Sequence, residues 1–165
     1  MKIALRIALL AVIAGAGFWL WTVWFPSPQM IVLKKISSLA ATASLNAGDG
    51  NITRAAKVSN FIGYFSTDAE IVCDVPELGA HTLSGRDEIR QMAAGVFTQM
   101  TSLKVQFLDA VAHVGADKES ARVSCTARVS ANDSKDFGVQ ELNFQFKKID
   151  GDWLITRAET VKTLQ

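Results

Sequence analysis

An α+β domain, helices first and then consecutive antiparallel strands, is what this sequence predicts, and three observations predict it. Apolar residues recur at helical spacing in two segments before residue 65, and they alternate at strand spacing in most segments after residue 103. Between these lies a third helical stripe, Ile89, Met92, Ala93, Val96, Phe97 and Met100. At 165 residues the chain has room for one such domain plus an attachment, and for a core that needs no staples.

The attachment comes first. After a short tail, residues 1–6, the run IALLAVIAGAGFWLWTVWF over residues 7–25 contains no charged side chain. As a helix these 19 residues span roughly 28 Å, close to the hydrocarbon thickness of a bilayer. Ala14-Gly15-Ala16 offers a cleavage pattern, so a removable signal peptide is the alternative. The apolar run continues past that point, and Trp19, Trp21 and Trp24 fit an aromatic belt at the membrane interface, so we read an uncleaved signal anchor. Lys2 and Arg6 precede the span, which keeps the tail in the cytoplasm and places the domain outside the inner (cell) membrane, in a periplasm or its equivalent. Pro26-Ser27-Pro28 then ends the helix. With so short a linker, the domain at residues 29–165 sits against the lipid bilayer. The partners expected are a hydrophobic small molecule derived from the membrane or a neighbouring membrane protein.

Within the domain, Gln29 to Leu45 reads as a helix with Leu33, Ile36, Leu39, Ala40 and Ala43 on one face, closed by Gly48-Asp49-Gly50. Asn51 or Thr53 caps a second helix whose stripe is Ile52, Ala55, Ala56, Ile62 and Phe65. Ala69 to Asp74 reads as a short strand that Pro76 and Gly79 end, leaving Asp74 at its mouth and His81 in the following loop. Ser84 is the expected cap of the third helix, with Asp87 three residues on. Leu103 to Val114 is a strand whose alternation slips near Asp109, as a bulge would cause. In the next strand Ala121, Val123, Cys125, Ala127 and Val129 form the apolar face, and Arg122, Ser124, Thr126 and Arg128 the polar one. After the polar connection 131–136, Leu142, Phe144 and Phe146 alternate with Glu141, Asn143, Gln145 and Lys147. Asp150-Gly151 supplies a tight hairpin turn, and Trp153 to Val161 closes the sheet.

Several chemistries are excluded by composition. The formal net charge is +1, and with Lys2 and Arg6 set aside acids exceed bases by one, so no basic face for nucleic acid is expected. Cys73 and Cys125 stand singly in strands, which reads as two buried free thiols with a disulfide as the alternative. His81 and His113 have no ligand at metal spacing, so no metal site is expected. There is no glycine-rich phosphate loop and no nucleophile elbow.

The run FSTDAEIVCDVPELGAHTLSGRDEI (residues 65–89) resembles the hallmark segment of the nuclear transport factor two-like superfamily, which includes ketosteroid isomerase, SnoaL-like polyketide cyclases and scytalone dehydratase. The terminal FKKIDGDWLITRAE (residues 146–159) adds to it, and a looser likeness extends from Gln29 to the C-terminus. The resemblance implies a cone-shaped, strongly curved antiparallel sheet wrapped around the N-terminal helices. It also implies pairing into a homodimer through the open sheet face, which carries Arg122, Arg128, Asn143 and Gln145. By the same resemblance Asp74 stands where the isomerase has its general base, with His81 as a possible acid–base partner across the loop. Two departures remove the stabilising half of that machinery: the site of the oxyanion tyrosine holds Ala41, and that of the protonated aspartate falls near Asn143 or Gln145. The implied pocket takes in Tyr64, Phe65, Met92, Phe97, Asn143 and Gln145. Two functions are therefore expected: a membrane-anchored, non-catalytic binding or assembly module without a cofactor, or an isomerase, dehydratase or cyclase using Asp74 on a hydrophobic small molecule. The missing oxyanion donors favour the first.

Overall fold

The computed structural model describes residues 27–75, 79–132, 134 and 138–161. The expected membrane span at 7–25, with Trp19, Trp21 and Trp24, lies outside these residues. No helix among the described residues is long and apolar enough to cross a membrane.

Helix α1 (Pro28–Ala43) begins where proline's fixed φ suits the first turn and the Ser27 hydroxyl accepts the Met30 N–H at 3.3 Å. Its buried face is Val32, Ile36, Leu39, Ala40 and Ala43, one position different from the expected stripe, because Leu33 is only half-buried. Helix α2 (Asn51–Ile62) departs further: Ile52 is 89% exposed, Ala55 and Ala56 are exposed, and Ile62 alone is fully buried. The reason is its position. This helix packs on α1 and on helix α3 (Arg86–Gln99) instead of lying on the sheet, so only Val58, Phe61 and Ile62 at its C-terminal half reach the core.

Six strands follow the first two helices in one sheet: β1 (Phe65–Val75), β2 (Gly79–Ser84), β3 (Leu103–Val114), β4 (Ser120–Ala131), β5 (Gly138–Ile149) and β6 (Asp152–Thr160). Their order is β2-β1-β6-β5-β4-β3. The α+β class agrees with the sequence reading, but the sheet is mixed where an all-antiparallel one was expected: β1 and β6 run parallel. Parallel neighbours require a long connection, and here α3 and four strands supply it.

Two local expectations are also corrected. Strand β1 starts at Phe65, because α2 has already ended at Ile62 and the Tyr64 carbonyl accepts the Ile155 N–H at 2.8 Å. The stretch beyond Pro76, expected as loop, is β2, with Ala80 to Leu83 laddered to Asp74 back to Ile71. Ser84, as the last residue of β2, is paired with Glu70 and cannot cap α3. That cap is Gly85, whose φ of 84° lies in the region that favours glycine. Glu88 reaches back to the Ser84 N–H at 2.8 Å, and Asp87 pairs with Arg90.

The bulge signalled near Asp109 is present as a register shift between Leu108 and Val111, with Asp109 at φ 53°. Asp150 and Gly151 take φ 51° and 90°, as the tight β5–β6 hairpin requires. The inner sheet face packs Val123, Phe144, Phe146, Trp153 and Ile155 against Val32, Ile36 and Leu39 of α1, with Phe65 and Ile89 in the same cluster. A smaller cluster, Leu45, Phe97 and Leu103, seals one end. There Arg54 donates to the backbone carbonyls of Asp49, Phe97, Met100 and Thr101, and Lys57 ties Asp49 to the Ser44 carbonyl.

Candidate functional site: an apolar cavity on the inner sheet face

Strand alternation gives β4 and β5 an inner face of small and aromatic residues, so the sheet does not fill all the space beneath α1. Ala127 and Val129 of β4 and Leu142 and Phe144 of β5 form its floor, and Val105 and Phe107 of β3 continue it. Leu39 and Ala43 of α1 and Phe61 of α2 close it from the helix side. Phe65, Ile71 and Cys73 of β1 and Ala158 and Thr160 of β6 form the remaining wall, with Val72 and Glu159, cross-strand partners, at its border. The cavity measures about 240 Å³. Larger grooves of about 690 Å³ and 650 Å³ lie on the outer sides of the helices and have mixed walls. The inner cavity is the better ligand site, because apolar lining with few polar groups is what burial of a small molecule requires.

Few titratable groups border this space. Glu159 is already held by Arg157 at 2.9 Å, and Arg157 also bonds Glu70 at 2.6 Å. That triad holds the Arg157 guanidinium above its ordinary pKa, with the hydrogen bond it donates to Glu159 as the first cause. Arg157 and Glu159 thus form a structural ion pair. The Thr160 hydroxyl stands in for a ladder partner: it accepts the Asp74 N–H at 2.8 Å and donates to the Asp74 carbonyl at 3.4 Å.

Both cysteines are free. Cys125 is buried as expected and Cys73 half-buried. Burial pushes both thiols up from the ordinary 9.0, that of Cys125 to about 11. The neutral thiol is therefore the form the folded state holds. Its contribution to stability is complete below the unfolded value of 9.0 and is lost as pH rises towards 11 for Cys125. At neutral pH a maleimide is expected to modify Cys73 slowly and Cys125 more slowly still, and an apolar ligand in the cavity should slow Cys73 further. Mass spectrometry of the modified chain reads both rates, and a Cys73 rate indifferent to ligand would remove it from the cavity wall.

The expected site residues separate in the structure. Phe65 lines the cavity. Asp74 does not: it is half-buried in the ladder opposite Ala80, one residue beyond Cys73, so alternation turns its side chain away from the cavity. His81 is exposed on β2, in register with Cys73 rather than with Asp74. Tyr64 lies half-buried at the groove between α1 and α2 on the outer side. Met92 is 52% exposed, because α3 presents Ile89, Ala93 and Phe97 inward and Met92 falls off that face. Phe97 belongs to the smaller cluster with Leu45 and Leu103. Asn143 and Gln145 pair with Ser124 and Arg122 on the outer sheet face, where Asn143 Oδ1 accepts the Ser124 hydroxyl at 2.7 Å. The two serve the open face, not the pocket. Ala41 is exposed, and the α1 positions that border the cavity are Leu39 and Ala43. The lining residues missed by the sequence reading, Val105, Phe107, Ala127 and Leu142, carried only the signal of an inward strand position. No group of three or more His, Cys, Asp or Glu side chains that could hold a metal ion occurs among the described residues.

No protein-family model matches the chain, and no curated protein matches it in sequence. Solved structures match its fold. A nuclear transport factor two-like protein with a cystatin-like fold from Novosphingobium aromaticivorans is 19% identical, covers 77% of this chain with 79% of its own, and gives a TM-score of 0.58. Aln2 from a Streptomyces species is 14% identical over 84% of this chain and 92% of its own, with a TM-score of 0.61. A protein from Novosphingobium aromaticivorans named as a candidate scytalone dehydratase is 14% identical over 82% of this chain and 83% of its own, also at 0.61. The chain thus has the nuclear transport factor two-like, cystatin-like fold. At these identities the likeness extends to the fold alone.

Proposed function

We propose that this chain is a membrane-anchored, non-catalytic binding module that holds a small apolar ligand in the cavity beneath α1. The observation that carries the proposal is the apolar wall of that cavity, which does not include Asp74. Proton transfer needs a base within hydrogen-bond reach of the ligand. A space of about 240 Å³ suits one ring or a short alkyl segment, below the roughly 300–1,000 Å³ of sites for larger ligands.

Binding of toluene, a single-ring apolar probe, to the full chain by calorimetry tests this. Ala127→Leu, which extends a side chain into the cavity, should weaken the probe by about an order of magnitude, or roughly 1.4 kcal/mol. Asp74→Asn should leave probe affinity unchanged. Loss of binding in Asp74→Asn with Ala127→Leu unaffected would move the site to Asp74 and revive the enzyme reading.

The same proposal includes the anchor at residues 7–25, with the domain outside the inner membrane, and pairing of two copies through the outer sheet face. On that face Arg122 towards one edge and, towards the other, the Arg157–Glu70–Glu159 group, which has one acid more than base, offer opposite charges to a second, inverted copy. Alkaline carbonate should leave the chain in the membrane pellet, and sedimentation in detergent should find a dimer that weakens with salt. A soluble chain, or a monomer at every concentration, would count against the corresponding half.

A further inference from the structure

Charge is unevenly spread over this domain. Between Pro28 and Phe65 the sequence has four cationic side chains, Lys34, Lys35, Arg54 and Lys57, and one acid, Asp49. Arg54 is engaged by backbone carbonyls, and Lys57 pairs with Asp49 at 2.7 Å. Lys34 and Lys35 enter no ion pair or hydrogen bond among the described residues. Both border the outer groove of about 650 Å³ between α1 and α2, whose other walls carry the hydroxyls of Ser38, Ser59 and Tyr64. One turn earlier on α1, Met30 is 64% exposed. The groove therefore presents two unneutralised ammonium groups over hydroxyls, with an apolar side chain projecting beside it.

Its place along the chain says what can reach it. The apolar run ends at Phe25, and Ser27 already caps α1. Lys34 is six residues into that helix, about 9 Å along its axis at 1.5 Å per residue. On the anchored reading, on which this inference rests, the groove is held at headgroup depth, where anionic lipid attracts lysines and an exposed methionine can enter the acyl boundary.

We infer that the α1–α2 groove binds the phosphate of an anionic glycerophospholipid, with Lys34 and Lys35 on the phosphate and the groove hydroxyls on the polyol. The chain contains a single tyrosine, Tyr64, and it lines this groove, so fluorotyrosine incorporation gives one fluorine NMR signal that reports on the site. The full chain is placed in nanodiscs of phosphatidylcholine alone or of phosphatidylcholine mixed with phosphatidylglycerol, and glycerol phosphate is titrated into the first. The expected result is a shifted resonance in the mixed discs that is lost in the Lys34→Gln/Lys35→Gln variant, with little response to glycerol phosphate. An equal shift from free glycerol phosphate would reassign the groove to a soluble phosphate. No shift with either, or a shift that survives the double substitution, would overturn the inference. Should carbonate extraction fail to place the chain in membranes, the same labelled chain is mixed with preformed vesicles of the two compositions. The resonance then reads the groove independently of the anchor, and silence there sinks the lipid assignment by itself.

Discussion

Replacing Arg54 by alanine is expected to lower the stability of the domain by about 3 kcal/mol, the scale at which a charged donor leaves several partly buried acceptors unmet. The guanidinium donates to four carbonyls: Asp49 in the loop before α2, Phe97 in the last turn of α3, and Met100 and Thr101 just beyond it. Those carbonyls at the end of α3 have no helical partner by construction, since the last turn of any helix leaves its acceptors open. The α3 sequence contains no cation in its last turn, so the cap comes from another helix. Arg54→Lys should recover little, because one ammonium cannot span acceptors that a planar fork reaches together. Thermal unfolding of the full chain in detergent measures both. Full rescue by lysine would show that charge at this point, and not the fork, holds the helices together.

Phe65→Ala is expected to cost about 3–5 kcal/mol, the range for removing a buried aromatic ring from a core. Phe65 is 2% exposed and lies 5.1 Å from the Phe61 ring, and its carbonyl accepts from Arg86 at the start of α3. It is also the first residue of β1 and part of the cavity wall. Truncation should therefore do two things at once: destabilise the domain and enlarge the space available to an apolar ligand. A destabilised variant that binds a bulkier naphthalene probe than the parent is the expected result. If stability falls and the range of ligands accepted stays the same, Phe65 is core alone and the cavity lies further from β1 than its lining indicates.

The elements that the sequence located without help are those whose local signals agree with one another. In β4 the alternation of Ala121, Val123, Cys125 and Ala127 with Arg122, Ser124 and Arg128 left a single way to face the core, and the burial pattern follows it. At Asp150-Gly151 the positive φ angles demanded by a two-residue hairpin are available to few other residue pairs. Near Asp109 a break in alternation was itself the mark of the bulge.

Where local signals were silent or conflicted, long-range contacts decided. Gly79 to Ser84 has neither a β-branched run nor a clean alternation, and it becomes a strand because β1 offers it an open edge. Ile52, Ala55 and Ala56 have the spacing of a buried stripe, yet α2 settles on its neighbouring helices and leaves them in solvent. The site was the least legible part for the same reason. Asp74 drew attention as an acid at the mouth of a strand, where the resemblance puts a general base, but one residue of strand register decides which side of β1 a side chain occupies, and that register is set by pairing with Ala80 and by Thr160. The cavity exists because seven separated segments leave a gap between their small and aromatic side chains, and no window of sequence contains such a gap. From the sequence alone came the α+β class and most strand positions, both properties of local composition and period. The tertiary structure alone decided the parallel β1–β6 pair, the pairing of β2 with β1 and the place of the cavity, because each depends on residues far apart in the chain meeting at a particular register.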